Sequence, residues 1–220
     1  MNKIKHLLFD CDGVLVDTEY TAAVKMTQAL KKLGVIVSVD YYLQNFTGTT
    51  FSSIIHHYFE SSFSQSEVLE IINRVEDEVT AEVKLIDGVN ELLTSLPINK
   101  SVVSNSSVRT VTQALTITGI SSHFSAKIFS AELVKHPKPA PDIYQLAIST
   151  LGHNVEDIIV VEDSISGAKA AVAAGVNGIF LEVHKNPENA LCDGPNSLKL
   201  DALYDIISQL KAIRVAIRNK

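Results

Sequence analysis

The sequence predicts an α/β chain: a parallel sheet interleaved with helices, interrupted after its first strand by an all-helical insertion. Three observations carry this. Short apolar runs end abruptly in polar groups at Leu7-Leu8-Phe9, Ser101-Val102-Val103 and Ile158-Ile159-Val160-Val161. Stretches of helical periodicity separate the later runs, which is the spacing of βαβ units. Residues 17–86 show helical patterns and no convincing strand, a local change of class.

In chain order, Leu7-Leu8-Phe9 reads as a strand buried on both faces, running into Asp10, Asp12 and Gly13. Ala23, Met26, Ala29, Leu30 and Leu33 share one helix face, and Gly34 stands where a C-cap is expected. Val35-Ile36-Val37 is short and β-branched; Val39–Phe46 leads to Thr47-Gly48-Thr49-Thr50, and Phe51–Phe59 reads as a helix. Ser64-x-x-Glu67 is a capping box opening a helix to about Val83. Helices are expected over 89–96, 108–118 and 141–151, with Pro141 in the first turn of the last. Strands are expected at 101–103, 127–129, 158–161 and 178–181, and an Ala-rich helix runs from Ser164 to Gly175. Residues 184–199 read as loop, and 201–213 as a final amphipathic helix with a basic tail. The expected division is a core of residues 1–16 and 87–220 and a helical cap of residues 17–86.

With 220 residues, 46% of them apolar, the chain can bury a sizeable core. A formal charge of −6 disfavours a nucleic-acid backbone as partner but permits a small anion in a locally positive site. Cys11 and Cys192 form no CxxC spacing, so a reducing, cytoplasmic setting is the expectation. Asp10 and Asp12 interrupt the N-terminal apolar stretch, so it does not read as a signal peptide. No run approaches the ~18 apolar residues of a membrane span.

A parallel sheet gathers the carboxyl ends of its strands on one edge. Asp10 and Asp12, Ser104 and Asn105, and Glu162 and Asp163 therefore converge there, joined by Lys138 from the Pro-punctuated loop 135–142. A helical insertion rooted at that edge would sit over the site as a lid. Four carboxylates repel one another without a cation, and an oxygen-only set suits Mg²⁺. Lys138 and the Ser104 hydroxyl suit phosphate oxygens. A carboxylate nucleophile facing a phosphate dianion meets repulsion of roughly 4 kcal/mol per charge pair at 4 Å, which a cation and the lysine would offset.

Asp10-Cys11-Asp12-Gly13-Val14, Ser104-Asn105, Lys138-Pro139-Ala140-Pro141-Asp142 and Glu162-Asp163-Ser164-x-x-Gly167 resemble, in order, the four motifs of the haloacid dehalogenase superfamily. The resemblance is to its phosphatase and phosphomutase branch with a helical cap, the β-phosphoglucomutase-like group. It implies a Rossmann-like three-layer core, with Asp10 as nucleophile and Asp12 as general acid/base. It also implies Ser104, Asn105 and Lys138 around the phosphoryl group. Mg²⁺ would lie on the Asp10 carboxylate, the Asp12 carbonyl and Asp163, with Glu162 close by. Thr18 and Glu19 resemble the hinge into the cap, and Gly48 and Thr49 the cap loop that meets substrate. Arg74 is a candidate for the substrate's distal group.

Asp12 argues against the dehalogenases, which lack this second aspartate. Mutase remains the alternative, although Phe51 stands where mutases carry a basic residue and Thr21 where they carry a histidine. A non-catalytic phosphate-binding protein is a further alternative. Asp17-Thr18-Glu19 and the Glu78–Gly88 stretch resemble small sugar-phosphate phosphatases, which implies a sugar or sugar-acid phosphate such as 6-phosphogluconate as substrate, and the family resemblance implies a monomer. His56-His57 are read as a solvated cap face, His136 as loop structure, Arg109 as exposed, and Asp142 as a helix-start residue that could brace Lys138.

Overall fold

A computed structural model describes residues 4–59, 63–124, 127–180 and 197–198 of the chain. Strand β1 (His6–Phe9) is followed by β2 (Val16–Asp17) and four helices, α1 (Glu19–Lys32), α2 (Val39–Phe46), α3 (Phe51–Phe59) and α4 (Gln65–Thr80). Then come β3 (Lys84–Leu85), α5 (Val89–Ser95), β4 (Asn99–Ser104), α6 (Val108–Ile117) and β5 (Ile128–Ser130). The chain continues through α7 (Asp142–Leu151), β6 (Ile158–Glu162), α8 (Ile165–Ala173), β7 (Asn177–Phe180) and β8 (Ser197–Leu198).

The main sheet is parallel, in the order β5-β4-β1-β6-β7-β8. β1 lies between β4 and β6, so the strand order turns around it. That is the crevice where open α/β sheets bind ligands. Alternation along β1 separates two apolar layers. Leu7 and Phe9 join Val102, Ile159 and Val161 under α5 and α6, packed by Val89, Leu93, Val111 and Leu115. Leu8 joins Val103, Ile158 and Val160 on the other face, against Ile143, Tyr144 and Ala147 of α7 and Ala170 and Ala171 of α8. Each such side chain removed from water contributes about 1.5–3 kcal/mol before entropy is subtracted. The result is the parallel α/β sheet that the apolar runs predict, in the Rossmann-like three-layer arrangement that the resemblance implies.

Helices α1–α4 bury a third, separate cluster, including Ala23, Met26, Leu30, Tyr42, Phe46, Ile54, Val75 and Val79. This is the inserted helical cap. Ser64 and Glu67 form the predicted capping box at the start of α4, and Gly34, at φ +88°, follows the last turn of α1. His57 lies on an exposed face of α3 and its ring edge meets Phe46 and Tyr58.

Several expectations need correction. The insertion is not purely helical at its roots: β2 and β3 pair antiparallel, Val16 with Leu85 and Asp17 with Lys84, tying the entering and leaving chains together. Two-residue strands carry too little periodicity to be read from sequence. Ser197-Leu198, expected as loop, adds β8 to the sheet edge. Pro141 precedes α7 as its cap residue instead of lying in the first turn, and α4 ends at Thr80. Cys192, the helix expected at 201–213 and the basic tail fall outside the described residues. No helix among the described residues is long and apolar enough to cross a membrane.

Candidate active site

The site forms where β1, β4 and β6 end. Phe9 pairs with Val102 on one side and Val161 on the other, so the next residues, Asp10 and Glu162, emerge side by side. Lys138 reaches between them from the loop before α7. Its ammonium donates to Asp10 Oδ1 at 2.6 Å, Glu162 Oε1 at 2.5 Å and the Val103 carbonyl at 2.8 Å. All three of its protons are used, which suits a lysine only 5% exposed. Burial opposes the charge, but the Asp10 and Glu162 carboxylates override it and hold the ammonium well above its usual range.

Glu162 is fully buried. Its Oε1 also accepts from Tyr144 Oη at 3.1 Å. Its Oε2 accepts from the Asp163 and Ser164 amides and from Ser164 Oγ at 2.9–3.1 Å. Both oxygens are thus saturated by protein donors. Glu162 therefore acts as a bracket for Lys138 and the start of α8 more readily than as a direct metal ligand. Gly167 is required beside it: a Cβ there would lie 1.6 Å from Glu162 Oε1. Gly13, in the left-handed region at φ +79°, would likewise bring a Cβ to 1.8 Å from Asp163 Oδ2.

One oxygen of each of Asp10, Glu162 and Asp163 lies within 4.8 Å of the others. Burial, then the Glu162 charge, pushes Asp10 well above the usual carboxylate range, against the pull of Lys138. Burial, followed by the Asp10 and Glu162 charges, raises Asp163 to about 9. Asp163 Oδ1 is buried without a hydrogen-bond partner. An orphaned carboxylate oxygen beside two more carboxylates, with oxygen donors alone, fits a hard divalent cation such as Mg²⁺. A raised pKa means that the fold favours protonated Asp163. Its contribution is full below 3.8 and is lost as pH rises through about 9. Mg²⁺ binding at pH 7.5 is therefore expected to release protons, because its carboxylate ligands must ionise. Calorimetry in buffers of different ionisation enthalpy measures this, and a zero proton count would refute it.

Asp12 occupies a different niche. Its Oδ1 accepts from Thr18 Oγ1 at 2.6 Å and its Oδ2 from Ser106 Oγ at 2.8 Å, with Ser104 Oγ at 3.5 Å. Its carboxylate is not in the Asp10-Glu162-Asp163 group. Asn105 spends its amide on protein: Nδ2 donates to the Gly48 and Lys138 carbonyls and Oδ1 accepts from the Lys138 amide. It is placed to hold the lysine loop and the cap loop in register. Cys11 belongs to the apolar layer at the foot of the cavity, and burial pushes its thiol up.

Core and cap enclose a cavity of ≈ 120 Å³ lined by Asp10, Asp12, Ser104 and Lys138 below and by Thr18, Glu19, Gly48 and Thr49 above. Arg74 is placed elsewhere, on an exposed face of α4 where it pairs with Glu70. Asp142 meets His136 at 3.0 Å, while Lys138 spends its ammonium on Asp10, Glu162 and Val103. Sequence reasoning missed Ser106 and Tyr144. The hydroxyl run Ser104-Asn105-Ser106-Ser107 was a usable signal for the first. Tyr144 sits on the apolar face of a helix and carried none.

A parallel sheet with three carboxylates and a buried lysine at its switch point, roofed by an inserted helical cap, defines a phosphoryl-handling hydrolase of the α/β class. The haloacid dehalogenase-like hydrolase family model matches residues 7–181, and the chain belongs to that family. The 6-phosphogluconate phosphatase of Escherichia coli is 25% identical over 197 residues, covering 85% of this chain and 87% of that protein. A haloacid dehalogenase-like protein of Agrobacterium tumefaciens superposes with a TM-score of 0.72 at 30% identity, over 96% of this chain and 99% of that one. A family hydrolase of Deinococcus radiodurans, solved with bound phosphate and sodium, superposes with a TM-score of 0.68 at 25% identity, over 96% and 98%. One of these relatives is thus a phosphatase and another a family hydrolase. The C-terminal part has a second likeness. The DAHP synthetase I family model matches residues 158–219. The 2-dehydro-3-deoxyphosphooctonate aldolase of Geobacter sulfurreducens is 57% identical over 51 residues, 23% of this chain. The chain spans only about a fifth of that aldolase, 19% of its length.

Proposed function

We propose that the chain is a cytoplasmic, monomeric, Mg²⁺-dependent phosphatase that hydrolyses a small sugar or sugar-acid phosphate through an aspartyl-phosphate on Asp10. The observation that carries this is the Asp10–Lys138–Glu162 cluster, with Asp12 held separately within the same cavity. The proposed cap spans residues 17–86. Asp10 and Asp163, with the Asp12 carbonyl, would hold Mg²⁺, which when bound screens charge between nucleophile and phosphoryl oxygens.

In this reading, Asp10 attacks phosphorus while the ester oxygen leaves with a proton from Asp12. Asp12 then takes a proton from the water that cleaves the acyl phosphate. Thr18 and Ser106 hydrogen-bond the Asp12 carboxylate and orient it for both transfers. Lys138 exchanges one of its three acceptors for a phosphoryl oxygen, and the Ser104 hydroxyl takes another. Thr49 and Glu19 in the roof meet the substrate's hydroxyls.

Phosphatase is favoured over mutase by the roof. Among the described lining residues Lys138 is the only lysine or arginine, so a second phosphate has no cation to receive it, and Phe51 lines the wall. The E. coli relative supports 6-phosphogluconate as substrate. The C-terminal likeness supports a second candidate, 2-dehydro-3-deoxyphosphooctonate. A phosphate-release screen with Mg²⁺ over both compounds, neutral sugar phosphates, phosphoglycolate and nucleotides tests the reading. A preferred sugar or sugar-acid phosphate is the expected result. Release from none of them, or interconversion of β-glucose 1-phosphate and 6-phosphate, overturns it.

A further inference from the structure

We propose that Glu76 is a positioning residue: with Arg109 it latches the helical cap onto the Ser104–Ser107 loop and so holds the site closed around its substrate. The proposal rests on the reading of Asp10 and Asp12 as the reacting groups.

Val75 and Val79 of α4 face the cap's own core. Glu76 turns toward the sheet domain and is 8% exposed. A carboxylate so placed is costly unless donors meet it. Its Oε2 accepts from Ser107 Oγ at 2.9 Å and Thr110 Oγ1 at 2.5 Å, and the Arg109 guanidinium lies 3.5 Å away. Arg109 also pairs with Asp77 and reaches Asn73 Oδ1 at 3.4 Å. Every donor in this seam belongs to the start of α6, and every acceptor to α4. The anion also faces a helix N-terminus, where the macrodipole favours it.

The same loop carries contacts to the reacting groups. Ser107 caps α6, Ser106 donates to Asp12, and Asn105 ties the cap's Gly48 carbonyl to the Lys138 backbone. Three consecutive residues therefore join the cap to Asp12 and Lys138. The cavity lies between cap and core, and only β2 and β3 link the two covalently. Substrate entry requires the cap to lift, which separates Glu76 from Ser107, Thr110 and Arg109. Re-forming these bonds on closure returns Ser106 to Asp12. A latch of this kind sets the fraction of closed molecules, and apparent affinity scales with that fraction.

The test uses the full chain and the variants Glu76→Ala, Glu76→Gln, Arg109→Ala and the double Glu76→Ala/Arg109→Ala. Hydrogen exchange is measured without substrate, and kinetics with p-nitrophenyl phosphate and Mg²⁺. In both single alanine variants, exchange in α4 and residues 104–110 is expected to quicken while β1, β4 and β6 stay protected. KM is expected to rise about tenfold with a smaller change in kcat. Glu76→Gln, which keeps an acceptor, recovers part of the loss. The double variant loses more than either single but less than their sum, because the two residues share the Glu76–Arg109 contact while each also holds partners of its own. Unchanged exchange with unchanged KM overturns the latch, as does a loss of protection spread evenly over the sheet. If the unaltered chain releases no phosphate, the phosphatase reading fails, and exchange alone still decides the latch.

Discussion

Asp10→Asn is expected to lower phosphate release by on the order of 10⁴-fold or more while leaving the fold intact. The amide keeps the shape of the side chain but is a poor nucleophile, and it no longer offers an anion to Lys138 or to a cation. Asp10 lies at the end of β1, held by its amide to the Val161 carbonyl at 2.9 Å, so the substitution leaves the strand pairing alone. The check is steady-state release from p-nitrophenyl phosphate with Mg²⁺, alongside thermal unfolding of both proteins. Undiminished turnover would remove the covalent mechanism. Loss of turnover with a large fall in stability would show Asp10 to be structural first.

Lys138→Met is expected to cost both activity and stability. Methionine matches the length of the lysine stem but leaves the Asp10 and Glu162 carboxylates facing each other without their ammonium. Breaking a buried pair in this way costs roughly 3–5 kcal/mol, and losing an electrostatic partner of the transition state lowers kcat by on the order of 10²–10³. The stability loss carries a sign in pH. Without the lysine the carboxyls hold protons more strongly in the fold than in the unfolded chain, so stability falls as pH rises. Urea unfolding without metal is therefore expected to show a larger deficit at pH 8 than at pH 5. Equal deficits at the two pH values would show that Lys138 is not neutralising those carboxylates. Added Mg²⁺ is expected to restore part of the loss at pH 8, because a cation then occupies the carboxylate cluster.

Legibility in the sequence followed the range of each interaction. The apolar runs ending in Asp10, Ser104 and Glu162 were readable because a buried parallel strand needs continuous apolar residues, and its end is where polar groups return to a ligand. The Ser64–Glu67 capping box was readable because its partners lie three residues apart. The β2–β3 tether was not, since Val16 and Leu85 are distant in the chain and neither segment is long enough to show a period. Arg74 shows the converse. A helix pattern lists the candidates on α4 but not the direction each faces, and the face toward the sheet carries Glu76 instead.

What the sequence alone determined was the chemistry on offer: two aspartates after the first strand, a lysine between prolines and an acidic pair after a later strand, in the family's order. What only the tertiary structure decided was how those groups share their charges. Lys138 spends its three protons on Asp10, Glu162 and Val103, and Glu162 is filled by five donors, while Asp163 keeps a buried oxygen without a partner. Hydrogen-bond capacity is a property of a three-dimensional neighbourhood. Residues 24 to 128 positions apart compete here for the same few lone pairs, and that competition separates the bracket from the candidate metal ligand.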